Sequence, residues 1–241
     1  MNIKKLIRSL RKYILDLIFP KKCLNCKKEG IFFCEDCFSL IDINPFQYCL
    51  CDHPQKIITP GQCQKCAKKS LNGIYSATDF ENSQVKKLIY NFKYQSQLKE
   101  LAYPLSLLIL MHLYLIKKYF PPNSLLVPIP LFLKKKKRRG FNQAEEIGKI
   151  ISEKIKIPLI IDNLIRIKNT LPQAKLNKEQ RQENIKNAFV VKNKKNFQGK
   201  IIFLLDDVYT TGATMQECAK ILKKSGAREV WGLTVARELK M

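Results

Sequence analysis

The segment Ile201-Ile-Phe-Leu-Leu-Asp-Asp-Val-Tyr-Thr-Thr-Gly-Ala-Thr-Met215 constrains the fold more than any other stretch of this 241-residue chain. Its first five residues are all apolar and show no alternation. That pattern predicts a strand buried on both faces, as in a parallel sheet covered by helices. Two acids follow, then a Thr-Thr-Gly-Ala-Thr loop, then a helical pattern over 214–224 closed by Gly226. Open parallel sheets bind ligands at the carboxyl ends of their strands. There the backbone N–H groups and hydroxyls of Thr210, Thr211, Gly212, Ala213 and Thr214, together with the start of the helix, make an anion cradle. Gly212 lets the backbone approach a ligand closely. Asp206 and Asp207 beside such a cradle suit a sugar phosphate, because carboxylates accept hydrogen bonds from vicinal hydroxyls. Reading Asp207 as a turn residue and Thr214 as a helix cap explains those two positions but not the whole run. Neighbouring residues of an extended strand point to opposite faces, so the strand is expected to end at or just before Asp206.

The rest of residues 73–241 reads as helices alternating with strands. Val85, Leu88, Ile89 and Phe92 mark one face of a helix over 83–92, and a second helix covers 100–118. Residues 124–129 form a short apolar strand that stops at Pro128-x-Pro130. A helix over 142–155 follows, then strands at 159–161, 188–191, 200–205 and 229–236, with a polar stretch at 166–187. The expected class is α/β: a mostly parallel sheet flanked by helices. His112 and Cys218 fall in apolar helical patterns and read as core residues.

Eight of the nine cysteines lie between residues 23 and 66. Cys23-x-x-Cys26 and Cys34-x-x-Cys37 are two knuckles whose four sulfurs match the closed tetrahedral shell of a structural zinc. Paired disulfides are the alternative, and the absence of a signal-peptide pattern argues against them. Cys49-x-Cys51 and Cys63-x-x-Cys66 form a second set. It has one short spacing and His53 nearby, and it offers a second zinc site of less certain geometry. No open catalytic metal constellation accompanies these sulfurs. Residues 21–70 are thus expected as a cysteine-rich zinc module, preceded by an amphipathic helix over 1–20 carrying Ile3, Leu6, Ile7, Leu10, Ile14, Leu17 and Ile18.

Lys and Arg number 44 against 20 Asp and Glu, a net charge of +24. The excess runs the length of the chain, and residues 134–139 are six consecutive cations. This field suits polyanionic partners. The longest apolar run, 105–116, is short for a membrane span and reads as a buried helix. A cytoplasmic location is the expectation.

The 201–215 run resembles the PRPP-binding signature of type I phosphoribosyltransferases, PRPP being phosphoribosyl pyrophosphate. More narrowly, the chain is similar to the ComF family of competence-associated proteins over nearly its whole length. The resemblance rests on Phe19-Pro20, the knuckles, Lys87-Leu-Ile-Tyr-Asn-Phe-Lys-Tyr94, Val127-Pro-Ile-Pro-Leu131 and Arg139-Gly-Phe-Asn-Gln-Ala144. It continues through Leu164-Ile-Arg166, Thr170-x-x-Gln173, Arg181-x-x-Asn184, Ala188-Phe189, the PRPP signature and Ala236-Arg237. Cys49-x-Cys51 departs from the usual CxxC. The resemblance implies a phosphoribosyltransferase-like domain that binds PRPP with Mg²⁺, Asp206 and Asp207 being the catalytic pair and Thr210–Thr214 taking the 5′-phosphate. It implies pyrophosphate or polyanion contacts at Pro128, Pro130, Arg139, Asn142, Gln143, Arg166 and Arg181, with Gln173 and Asn184 in a hood over the site. Two functions are compatible with it. One is pentosyl transfer from PRPP in DNA uptake and natural transformation. The other is a non-catalytic competence factor that binds single-stranded DNA or senses PRPP. Both imply single-stranded DNA and competence-machinery proteins as partners. No residue identifies an acceptor.

Overall fold

The computed structural model describes residues 20–51, 54–58, 61–170 and 178–238. The helix expected over 1–20, together with His53 and Gln173, lies outside them. The chain divides into two compact units, residues 1–41 and 42–241. The sequence places the end of the cysteine-rich module near residue 70. In the structure, residues 42–72 go with the large unit, because Gln47–Tyr48 (β1) is hydrogen-bonded to that unit's sheet.

In the first unit the two knuckles flank a tight connection. Lys27 and Gly30 take left-handed backbone, with φ of 69° and 93°. Glu35–Ser39 forms a short helix, α1. Apart from cysteines, Phe33 and Ile41 are the buried apolar residues described here.

The second unit is built on a six-stranded sheet of order β2-β1-β3-β8-β7-β4. Its strands are β1, Lys56–Ile57 (β2), Gly73–Asp79 (β3), Ser124–Pro128 (β4), Ile201–Tyr209 (β7) and Glu229–Arg237 (β8). β3, β8, β7 and β4 run parallel, and the β1–β2 ribbon adds antiparallel to β3. Leu164–Arg166 (β5) and Phe189–Val191 (β6) pair antiparallel in a separate two-stranded sheet. The strand expected at 159–161 reduces to one bridge between Leu159 and Leu126. The chain turns away at Asp162, whose φ is 61°.

Helices cover both faces, as the apolar run of β7 requires. Ala102–Leu115 (α3) and Gln143–Ile155 (α5) lie on one face, where Gly148 lets α5 come close to Leu159 and Leu205. Ala213–Lys224 (α7) lies on the other, burying Met215, Cys218 and Leu222 with Ile202 and Leu204. Burial of one such side chain contributes roughly 1.5–3 kcal/mol. Helix Leu98–Leu115 is apolar enough by composition to cross a membrane, yet half of it is buried in the protein. His112 is fully buried there, its Nδ1–H donating to the Asn44 carbonyl at 2.7 Å.

Ser83–Tyr94 (α2) starts at Asn82, whose side chain accepts N–H bonds from Gln84 and Val85. The basic run folds as a helix, Leu133–Arg139 (α4). Lys and Arg are good helix formers, and cations suit a helix C-terminus. Gly140, at φ 82°, ends it and turns the chain into α5. Lys178–Ile185 (α6) comes from the polar stretch.

Candidate functional site: acids, cradle and cations at the carboxyl edge of the sheet

β7 does not end where the sequence predicts. It runs through both acids to Tyr209, because β8 is equally long and pairs with it to the end, Asp206 opposite Thr234 and Tyr209 opposite Arg237. The acids therefore sit in extended backbone and leave the strand on opposite faces. Asp207 is buried toward α2, and its Oδ1 lies 2.8 Å from Lys93 Nζ. Asp206 is half-buried and its Oδ1 accepts the Asp207 N–H at 2.9 Å. Burial above all, and then the Asp207 charge, push the Asp206 carboxyl up to about 7, against the pull of Lys93 and Arg166. Near neutral pH this pair holds a proton that a bound cation would displace.

The cradle follows. Gly212 caps α7 in left-handed backbone, φ 76°, and a Cβ there would overlap the Tyr209 ring and hydroxyl. Thr211 Oγ1 accepts the Ala213 N–H at 3.5 Å. Arg181, on α6, donates to Thr210 Oγ1 at 3.4 Å, which ties α6 to the loop. A small cavity of about 40 Å³ lies between Asp206, Thr210, Gly212 and Thr214.

Cations gather on the β4 side. Arg166 is buried, its guanidinium 5.6 Å from the Phe189 ring and bonded to Thr170 Oγ1, with Nε unpartnered. Lys135 of α4 is held below its usual pKa by burial and then by the charges of Arg166, Arg139 and Arg138. Cations crowded in this way favour an anion beside them. Lys136 is instead paired with Glu145 at 2.8 Å. Pro128, Pro130 and Arg166 line a cavity of about 210 Å³. Asn142 and Gln143 are buried with their polar groups used inside the protein. Asn142 caps α5 and donates to the Ile129 carbonyl at 3.0 Å, fixing the Pro-x-Pro turn. Gln143 Oε1 accepts from Arg139 at 3.0 Å, and its Nε2 donates to the Phe92 carbonyl.

Lys135 belongs to the cationic run 134–139 that the sequence marks for a polyanion, whereas Lys93 is not marked by the sequence. Lys93 lies on the polar face of an amphipathic helix, where nothing local marks it out. Only the fold brings it to Asp207.

None of the nine cysteines is paired in a disulfide. Cys23, Cys26, Cys34 and Cys37 have their sulfurs within 4.8 Å of one another. Burial raises the Cys23 thiol, but N–H donors from Cys34, Cys26 and Asn25 outweigh it and bring it down to about 6. Asn25 also donates to Cys37 Sγ at 3.4 Å. This donor set fits a four-sulfur zinc. In the second set Cys49, Cys51 and Cys63 gather within the same distance, while Cys66 turns its thiol to the Cys63 carbonyl at 3.6 Å.

Residues 123–239 match the family model described as Phosphoribosyl transferase domain. Similar proteins include Competence protein F of Haemophilus influenzae, 40% identical over 46% of this chain and 50% of that protein. Competence protein ComFC of Bacillus subtilis is 34% identical over 50% of this chain and 48% of its own. The chain is thus similar to these competence proteins over about half of its length, and the phosphoribosyl transferase match falls on its C-terminal half. DNA utilization protein YhgH of Escherichia coli K12 is 29% identical over 71% of the chain and 76% of that protein. The chain thus spans about half of the two competence proteins and three quarters of YhgH.

Proposed function

We propose that the carboxyl edge of the sheet binds a pyrophosphorylated pentose phosphate, PRPP, together with a divalent metal, and that the protein acts in DNA uptake. The observation that carries this reading is the joining of three parts at one edge: an acid pair, a helix-capping loop with glycine in left-handed backbone, and a cluster of cations. Thr210–Thr214 take the 5′-phosphate, and Arg181 closes over it. Asp206, which lines the cavity beside the cradle, addresses the ribose hydroxyls and the metal, and Asp207, on the opposite face of β7 and paired with Lys93, joins it only if the strand end turns. Mg²⁺, when bound, neutralises charge on the departing pyrophosphate. Arg166, Lys135 and Arg139 receive the pyrophosphate, while Asn142 and Gln143 keep the Pro128–Pro130 turn and Arg139 in place. The role in DNA uptake is supported by the names of the relatives, two of them competence proteins and one a DNA utilization protein. The four-sulfur set of the first unit holds a structural zinc in this account, and the second set takes a metal only if Cys66 rotates inward.

A second reading has a specific observation behind it. α4 projects consecutive cations from a chain of net charge +24, which suits a non-catalytic factor that binds single-stranded DNA and senses PRPP. Substitution separates the parts of the sugar-phosphate site. Asp206→Asn with Asp207→Asn removes metal-dependent PRPP binding, and Gly212→Val removes binding with or without metal. The zinc content of both variants stays that of the wild type. PRPP binding unchanged in both would overturn the assignment.

A further inference from the structure

One face of α2 is built unlike the solvent face of an ordinary amphipathic helix. Its inward residues Val85, Leu88, Ile89 and Phe92 are buried, as their spacing requires. Its outward positions alternate lysine with tyrosine: Lys86, Lys87, Tyr90, Lys93 and Tyr94, at helical i, i+3, i+4, i+7 spacing. Tyr90 is 63% and Tyr94 61% exposed. The two rings lie 4.8 Å apart at 45°. They border an open groove of about 540 Å³ whose lining includes Phe80 and the three lysines and no carboxylate. Glu81 stands at its rim, bonded to Lys86 at 2.9 Å. The groove continues into α4, because the Arg139 guanidinium sits 5.6 Å over the Tyr94 ring. At the same end Lys93 reaches Asp207.

Exposed rings between cations are what an unpaired polynucleotide needs. Every base offers a π-face that stacks on an aromatic ring, while the backbone follows a cationic track. A fold with no partner for this face gains nothing by leaving two tyrosines in water. A duplex, its bases stacked inside, could use the lysines but not the rings.

We propose that the Tyr90–Tyr94 face of α2 is a base-stacking platform for single-stranded nucleic acid, which the lysines and α4 guide toward the acid pair. This deepens the second reading above by naming a face that recognises bases as well as phosphates, and it does not depend on PRPP turnover.

The test uses the full chain and two fluorescent 20-mers, oligo-dT and a fully abasic strand of equal charge, without PRPP. Wild type should bind dT more tightly than the abasic strand. Tyr90→Ala and Tyr94→Ala should each weaken dT binding at least about fivefold, with no change for the abasic strand and no change in salt slope. Tyr90→Phe and Tyr94→Phe keep the ring and should restore dT binding. The rings are exposed, so truncating them opens no core, and circular dichroism checks the fold. Equal binding of the two strands by wild type, or alanine variants that bind dT as wild type does, overturns the platform and leaves phosphate binding by α4 standing. No binding of either strand at low salt overturns both.

Discussion

Asp206→Asn should stabilise the protein, and only at higher pH. The carboxyl titrates near 3.9 in an unfolded chain and is raised to about 7 in the fold, chiefly by burial and then by Asp207. Between those values the folded state carries a proton that the unfolded state has lost, so stability falls as pH rises from about 4 to about 7. Above 7 both states are ionised and the whole loss is present. Below 4 both are protonated and there is none. Three pH units correspond to an upper limit of about 4 kcal/mol. Asp206 is half-buried and water reaches it, so about 2 kcal/mol is the expected gain at pH 8. For a unit of this size that is roughly 4–8 °C in Tm. Asparagine keeps an oxygen for the Asp207 N–H, which lies 2.9 Å from the present carboxylate. Thermal unfolding of both proteins at pH 4.5, 6 and 8 in 0.15 M salt gives the answer. Curves that diverge steadily as pH rises support the account. A constant offset across pH, or a wild type that gains on the variant toward pH 8, contradicts it.

Elemental analysis of untagged protein should find at least one zinc per chain. Cys23→Ser should expose residues 20–41 to protease while the sheet stays folded, since Phe33 and Ile41 are the buried apolar residues described there apart from cysteines. A metal-free wild type with the same protease resistance refutes this. Changing Lys134–Lys137 to Gln should weaken oligo-dT binding and reduce the magnitude of the log–log salt slope by about 2–3, since each released phosphate counterion counts about 0.7. A slope that does not change removes α4 from the interface. Asn142→Ala should cost about 1–3 kcal/mol in denaturant unfolding, because it loses both the α5 cap and the bond to the Ile129 carbonyl. Unaltered stability would return Asn142 to the ligand-contact role that the family resemblance implies.

The parallel sheet was legible because Ile201–Leu205 is apolar without alternation, and the helices because their apolar spacing is clean. The knuckles were legible because CxxC is a local motif whose geometry follows from a single turn. What escaped depends on pairing across the fold. The extension of β7 to Tyr209 is decided by the length of β8, which no pattern near Asp206 reports. Residues 134–139 read as a cationic run facing a polyanion, with no helix marked, yet helix propensity and Gly140 make them α4. Asn142 and Gln143 lie in a specific motif that draws the eye to a ligand, while their observed partners are the Ile129 carbonyl, Arg139 and the Phe92 carbonyl. Lys93 meets Asp207 across 114 residues of sequence, a contact visible only when α2 and β7 are placed together.

Isothermal titration of the wild-type protein with PRPP, with and without Mg²⁺, tests the sugar-phosphate site most directly. The account predicts saturable binding strengthened by Mg²⁺, with protons released near pH 7 as Asp206 ionises against the metal. No heat of binding for PRPP or ribose 5-phosphate at millimolar concentration with Mg²⁺ would contradict it.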